Sequence, residues 1–282
     1  MEYRTHTTSP EYHQMVLSTA SFFGKFNTEQ ALIEIARMGL HHAEVFLSGY
    51  YEYTDAYFAL LRSIMVENDI ACTSIHSLST QFEPQLFSIH PRQYDSAEEL
   101  FRRILKGGQE LGAQHYVMHG PVRVSVGSCI HADYAGPRAR QLGEIAREYG
   151  ITLTLENVHW CLVANPQTVE DLNPYVDGDV LGYTFDIKQA VQSGYAPTAY
   201  LDAMEGFRLR NVHICGALVS SDGGVKTGLP NADGPEILAV AKKFQEMRYS
   251  GPIVLEVYSR DYQELSELSR CVEALNRLFY GQ

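Results

Sequence analysis

Four short apolar runs in the second half of the chain each lead into a residue that could bind a cation or move a proton. LTL precedes Glu156, GYTF precedes Asp186, NV precedes His213 and IVL precedes Glu256. The first lies in TLTLENVHW, residues 152–160, where Asn157, His159 and Trp160 follow the acid closely. An unpaired carboxylate is costly to bury in a low-dielectric site. For any one of these acids, the bland reading is that the strand surfaces there. As a set they ask for more: three carboxylates brought together would repel one another and raise their pKa values. A divalent cation removes that conflict. Carboxylate with imidazole suits Mn²⁺, Mg²⁺, Co²⁺ or Zn²⁺ and carries no thiolate selection. His76 and His119 also close apolar runs, and each reads equally well as a hydrogen-bonded structural residue.

The elements that would deliver these side chains alternate regularly. Strands are expected near residues 14–21, 43–48, 72–79, 115–120, 151–158, 180–187, 210–216 and 252–259. Helical patterns follow each: Thr28 as N-cap to Gly39, then about 54–68, 97–111, up to 149, 167–175, 188–193 with 197–204, 236–247 and 262–279. The stretches QFEPQLFSIHPRQYDS and SSDGGVKTGLPNADGP read as loops. Repeated strand–helix units favour a parallel sheet. Eight of them predict a closed (β/α)₈ barrel, one domain over residues 1–282, near the ~250 residues that fold needs. A doubly wound open sheet is the alternative, but its G-x-G-x-x-G signature is absent, as is a P-loop. In a (β/α)₈ barrel, function sits at the C-terminal strand ends, and closure would bring the four ends together.

Composition narrows the partners. Twenty-two basic against 34 acidic residues leave a net charge of −12, which argues against a nucleic-acid binder. Five scattered cysteines, including Cys129, form no C-x-x-C pair and read as free thiols of a reducing cytoplasm. The polar N-terminus lacks the apolar run of a signal peptide. No stretch approaches the ~20 apolar residues of a membrane span. A soluble, cytoplasmic protein is the expectation.

LENV, TFDIKQA, NVHICG and GPIVLEV, in that order, resemble the xylose isomerase-like barrel superfamily, the sugar phosphate isomerase/epimerase family. That group includes ketose 3-epimerases, hydroxypyruvate isomerase, inosose dehydratase and an apurinic-site endonuclease. The resemblance covers most of the chain. Carried over, it implies that Glu156, Asp186, His213 and Glu256 bind one divalent metal ion. The ion would act as a Lewis acid on the carbonyl of a small sugar or polyol. Glu156 and Glu256 would be catalytic, on opposite faces of the substrate, removing and returning a proton through an enediolate. Epimerisation, isomerisation and dehydration all fit that scheme. So do an inosose-type dehydratase and, less closely, an endonuclease-like phosphodiester hydrolase or a non-catalytic sugar-binding barrel.

The chain departs from the endonuclease pattern: Gln189 replaces a histidine after Asp186, and no Asp-x-His follows strand seven. A second metal on His76 and His119 stays open. Lys188 either polarises a substrate oxygen or faces solvent. Trp160, the only tryptophan, either stacks on a sugar or anchors a loop. His159 is expected against substrate or behind a ligand. His76, His119, His159, Trp160 and Lys188 are therefore the candidate substrate contacts. Arg123 and Arg260 could hold an anion but are better read as surface residues, Lys226 is the nearest cation after the strand-seven histidine, and Cys215 reads as packing. Tyr50, Tyr51, Tyr53 and Tyr57 suit a pocket wall or a subunit interface, which leaves a homo-oligomer open.

Overall fold

The protein is described by a computed structural model over residues 12–123, 131–221 and 223–281. Cys129 lies outside the described residues. Its strands are β1 Val16–Ser18, β2 His42–Leu47, β3 Ala71–Ser77, β4 His115–Met118, β5 Thr152–Glu156, β6 Leu181–Asp186, β7 Leu209–Ile214, β8 Gly216–Val219, β9 Val225–Gly228 and β10 Ile253–Leu255. The α-helices are α1 Thr28–Arg37, α2 Asp55–Glu67, α3 Pro91–Leu111, α4 Ala132–Arg147, α5 Pro166–Leu172, α6 Ile187–Gln192, α7 Pro197–Met204, α8 Pro235–Met247 and α9 Leu265–Tyr280.

Eight strands close into one barrel in the order β1-β10-β7-β6-β5-β4-β3-β2, every neighbouring pair parallel. This is the (β/α)₈ architecture expected from the alternation. The strands read as near-continuous apolar runs because both their faces are covered, one by the barrel interior and one by the helices. Leu153, Leu155, Leu181, Tyr183, Val212 and Val254 are all fully buried. No helix among the described residues is long and apolar enough to cross a membrane.

Local chemistry sets several boundaries differently from the sequence reading. The N-cap of α1 is Asn27, with its N–H donating to Gln30 Oε1 (3.3 Å). Thr28 Oγ1 instead donates to Phe46 O (3.0 Å), tying the helix to β2. Helix α3 starts at Pro91 rather than Ala97, because proline at the first helical position has its φ preset and needs no partner for the missing N–H. A 3₁₀ turn, Glu83–Phe87, occupies the expected loop before it. The glycine-rich loop after β7 holds the antiparallel pair β8–β9, turned at Gly223 with φ +81°.

Candidate active site

Each candidate ligand reaches the barrel's C-terminal end by its place on a strand. Glu156 and Asp186 are the last residues of β5 and β6, His213 is next to last in β7, and Glu256 directly follows β10. Register aligns Asp186 with His213 and His213 with Val254. Asn157 joins β5 to β6: its Nδ2 donates to Asp186 O (2.9 Å), and Asp186 N–H donates to its Oδ1 (2.6 Å). Asp186 then caps α6, with Oδ1 accepting from Gln189 N–H at 2.9 Å.

One ligand atom from each of Glu156, Asp186, His213 and Glu256 falls within a cluster 4.8 Å across. His213 Nδ1 lies 2.8 Å from Glu256 Oε2 and 3.7 Å from Glu156 Oε1. Three buried atoms of the cluster are held only by other titratable groups of the site: Glu156 Oε2 lies 3.0 Å from His119 Nε2, Asp186 Oδ2 3.4 Å from Lys188 Nζ, and His213 Nδ1 meets Glu256. Three carboxylates gathered this closely in a buried site repel one another, and a cation coordinated among them would offset that repulsion. The donor set is thus four hard or borderline atoms that fit one divalent ion.

The electrostatics follow from crowding. Burial pushes the Asp186 carboxyl up to about 6; the Lys188 ammonium, 3.4 Å from Oδ2, offsets this only in part, and Glu156 adds to the rise. At Glu156 burial also acts upward, but the His119 and His213 imidazoles outweigh it and hold the carboxyl well below its ordinary value. Glu256 is held down in the same way by His213 and His76. His213 shows the reverse: burial acts downward, while Glu44 and Glu256 raise its pKa well above the ordinary histidine value.

Above the cluster opens a cavity of about 310 Å³. Glu156 and Glu256 line it; Asp186 and His213, both fully buried, lie beneath. His76, His119, Trp160 and Lys188 also line it. His119 Nε2 lies 3.0 Å from Glu156 Oε2 and 3.0 Å from His76 Nε2. Trp160 stands edge-on to His119, ring centroids 5.7 Å apart. Phe23, Phe46 and Tyr258 supply an apolar side, and Lys188 Nζ sits 4.9 Å over the Tyr258 ring. Lys188 is 5% exposed, so the solvent reading of this lysine does not hold.

His159 does not take the place expected against substrate. It does not line the cavity; its backbone N–H (3.2 Å) and Nδ1 (2.7 Å) both meet Gln189 Oε1, and Gln189 is the residue that faces the cavity. Arg123, Arg260 and Lys226 are exposed and outside the lining, and Cys215 is buried and also outside it. Of the tyrosine run, Tyr53 and Tyr57 pack inside and Tyr50 and Tyr51 face out, with none in the cavity.

Two acids were missed. Glu44, in the third place of β2, is fully buried beside His213. Its signal was an acid inside AEVFL rather than at the end of a run. Glu83, in the expected loop, is fully buried as well and accepts from Ser77 Oγ (2.9 Å), Tyr116 OH (2.9 Å) and His119 N–H (3.2 Å). Only an acid followed by proline in an aromatic stretch marked it.

The family model described as xylose isomerase-like TIM barrel matches residues 32–278. Among solved structures, a D-tagatose 3-epimerase-like protein superposes with TM-score 0.73 at 20% identity, covering 95% of this chain and 98% of its own. The IOLI protein with a bound zinc atom gives TM-score 0.76 at 16% identity, covering 95% and 98%. A xylose isomerase-like TIM barrel protein from Mycobacterium smegmatis, in complex with magnesium, gives 0.71 at 16%, covering 95% and 97%. At such identities the likeness establishes the fold alone. No curated protein matches the chain by sequence.

Proposed function

The chain belongs to the xylose isomerase-like TIM barrel family, and from that premise we propose that it is a divalent-metal-dependent isomerase or epimerase of a small sugar or polyol, built as one barrel domain. The observation that carries this reading is the layering of the site. Three carboxylates and an imidazole converge, and only the two glutamates among them also reach the cavity. Zinc and magnesium in two structures of the same fold are consistent with a metal here.

Glu156, Asp186, His213 and Glu256 would hold the ion. When bound, it supplies Lewis acidity toward a carbonyl oxygen. The residues do the rest. Glu156 and Glu256 enter the cavity from strands with β6 and β7 between them. Both are held well below the ordinary carboxylate range, so each is ionised and able to take a proton from the carbon next to the carbonyl. One removes it, the enediolate forms, and the other returns a proton from its own side. His76 and His119, in contact with the two glutamates, and Lys188 present donors to substrate oxygens. Trp160 and Tyr258 provide faces for the apolar side of a sugar and exclude water.

The test is α-proton exchange in D₂O, followed by NMR, across ketoses, aldoses, inososes and 3-keto sugars with Mn²⁺. Exchange that is lost in Glu156→Gln and Glu256→Gln, with the fold kept, supports the reading. Full activity in either variant on the true substrate ends the two-glutamate mechanism. Loss of a β-hydroxyl in the product would identify an inosose-type dehydratase instead. One observation favours a further alternative: ligand atoms of His76, His119 and Glu156 also fall within 4.8 Å of one another. More than one metal per chain would therefore point to an endonuclease-like hydrolase, and none at all, after reconstitution attempts, to a non-catalytic sugar-binding barrel.

A further inference from the structure

Strand β2 reads HAEVFL, with an acid where the barrel interior normally takes a branched apolar side chain. Glu44 is fully buried, and a buried carboxylate must be compensated. Its Oε2 collects three contacts: Ser74 Oγ donates at 2.7 Å, Asn211 Nδ2 donates at 3.2 Å, and His213 Nε2 lies at 3.0 Å. The last reaches through the barrel interior, since β2 and β7 are not neighbours in the sheet. The opposite ring nitrogen, His213 Nδ1, faces the candidate ligands Glu256 (2.8 Å) and Glu156 (3.7 Å).

We propose that Glu44 is the positioning residue of the metal site: it accepts His213 Nε2–H and so fixes which imidazole nitrogen is offered to the ion. A neutral imidazole has one N–H and one lone pair. With the N–H committed to Glu44, the lone pair is on Nδ1, aimed at the carboxylate cluster. Rotation of the ring about its Cβ–Cγ bond would break that contact and turn Nδ1 away. The carboxylate also raises the basicity of the ring, as partners behind metal-bound histidines generally do. This rests on the metal reading of Glu156, Asp186, His213 and Glu256.

Glu44 could instead be a ligand in its own right, since one of its oxygens falls within 4.8 Å of ligand atoms of His76 and Glu256. Titration of the full chain with Co²⁺, followed by d–d absorption, separates the two roles. In the positioning role, Glu44→Ala still takes one ion per chain but binds it roughly 10- to 100-fold more weakly. Glu44→Gln, which keeps an acceptor oxygen for Nε2–H, recovers part of that loss. The ¹⁵N shifts of His213 in Zn²⁺-loaded wild type report the tautomer without any substitution; protonation at Nε2 is expected. Unchanged Co²⁺ affinity in Glu44→Ala, the Nδ1–H tautomer in wild type, or loss of a whole equivalent of metal in the variant would each overturn the assignment. If wild type itself takes up no Co²⁺, it is the metal site that fails, and Glu44 with it.

Discussion

Asp186→Asn tests the metal site with little disturbance of the backbone. Asp186 Oδ1 caps α6 through Gln189 N–H, and asparagine caps as well as aspartate. The atom replaced is Oδ2, whose neighbour is the Lys188 ammonium at 3.4 Å. The carboxyl it belongs to is already raised to about 6 by burial. Each protein then serves as its own reference, read as the shift in Tm that Mn²⁺ adds. An ion present at 100 times its Kd stabilises the folded state by about 2.7 kcal/mol. An unfolding entropy of about 2.1 cal/mol/K per residue, over the 282 residues of the chain, comes to about 0.6 kcal/mol/K. Wild type should therefore gain about 4.5 °C. A 100-fold weaker site at the same Mn²⁺ concentration is half filled, gains about 0.4 kcal/mol, and moves Tm by less than about 1 °C. Thermal unfolding by far-UV circular dichroism, after treatment with chelator and with or without Mn²⁺, reads both numbers. A variant that keeps the full wild-type shift would refute the placing of the ion on Asp186.

Two further outcomes concern stability. In Gly107→Ala the new Cβ would stand 2.2 Å from the Phe58 ring, itself 1% exposed; overpacking of about 1–3 kcal/mol exceeds the helix-propensity gain of about 0.5–1 kcal/mol. Urea unfolding should show a less stable protein, and a more stable one would mean that α3 shifts freely over α2. His115, buried with Nδ1 unpartnered, has its pKa lowered from 6.5 to about 4, chiefly by burial and further by Arg210. A depressed histidine means that the unfolded chain binds the proton first, so stability is unaffected above pH 6.5 and falls between there and about 4, by on the order of 3 kcal/mol. His115→Gln should flatten that part of the pH–stability curve; an unaltered slope would assign it to other groups.

Much of the fold could be read before any coordinates because both of its regularities are local. Helices α2, α7 and α8 follow amphipathic patterns within a residue or two of their observed bounds. The pair β8–β9 escaped notice because two four-residue strands around a turn carry too little periodicity to separate from a glycine-rich loop. In the site, Glu156, Asp186, His213 and Glu256 were visible as polar endings of apolar runs. Glu44 was not, since an inward-facing acid in mid-strand looks the same in sequence whether it meets solvent or a histidine. His159 shows the converse: next to Trp160 in the chain, it turns away to Gln189 while Trp160 faces the cavity.

The residue types, their alternation and the strand each one ends are properties of the chain alone, and they determined the barrel and the set of candidate ligands. Tertiary structure decided which nitrogen of His213 faces Glu156 and Glu256, that these two glutamates reach the cavity while Asp186 stays beneath, and that Glu44 stands behind His213. These follow from barrel closure and strand register, which bring side chains as far apart as Glu44 and His213, 169 residues along the chain, to 3.0 Å. Periodicity specifies a face of a strand; only closure specifies what that face meets.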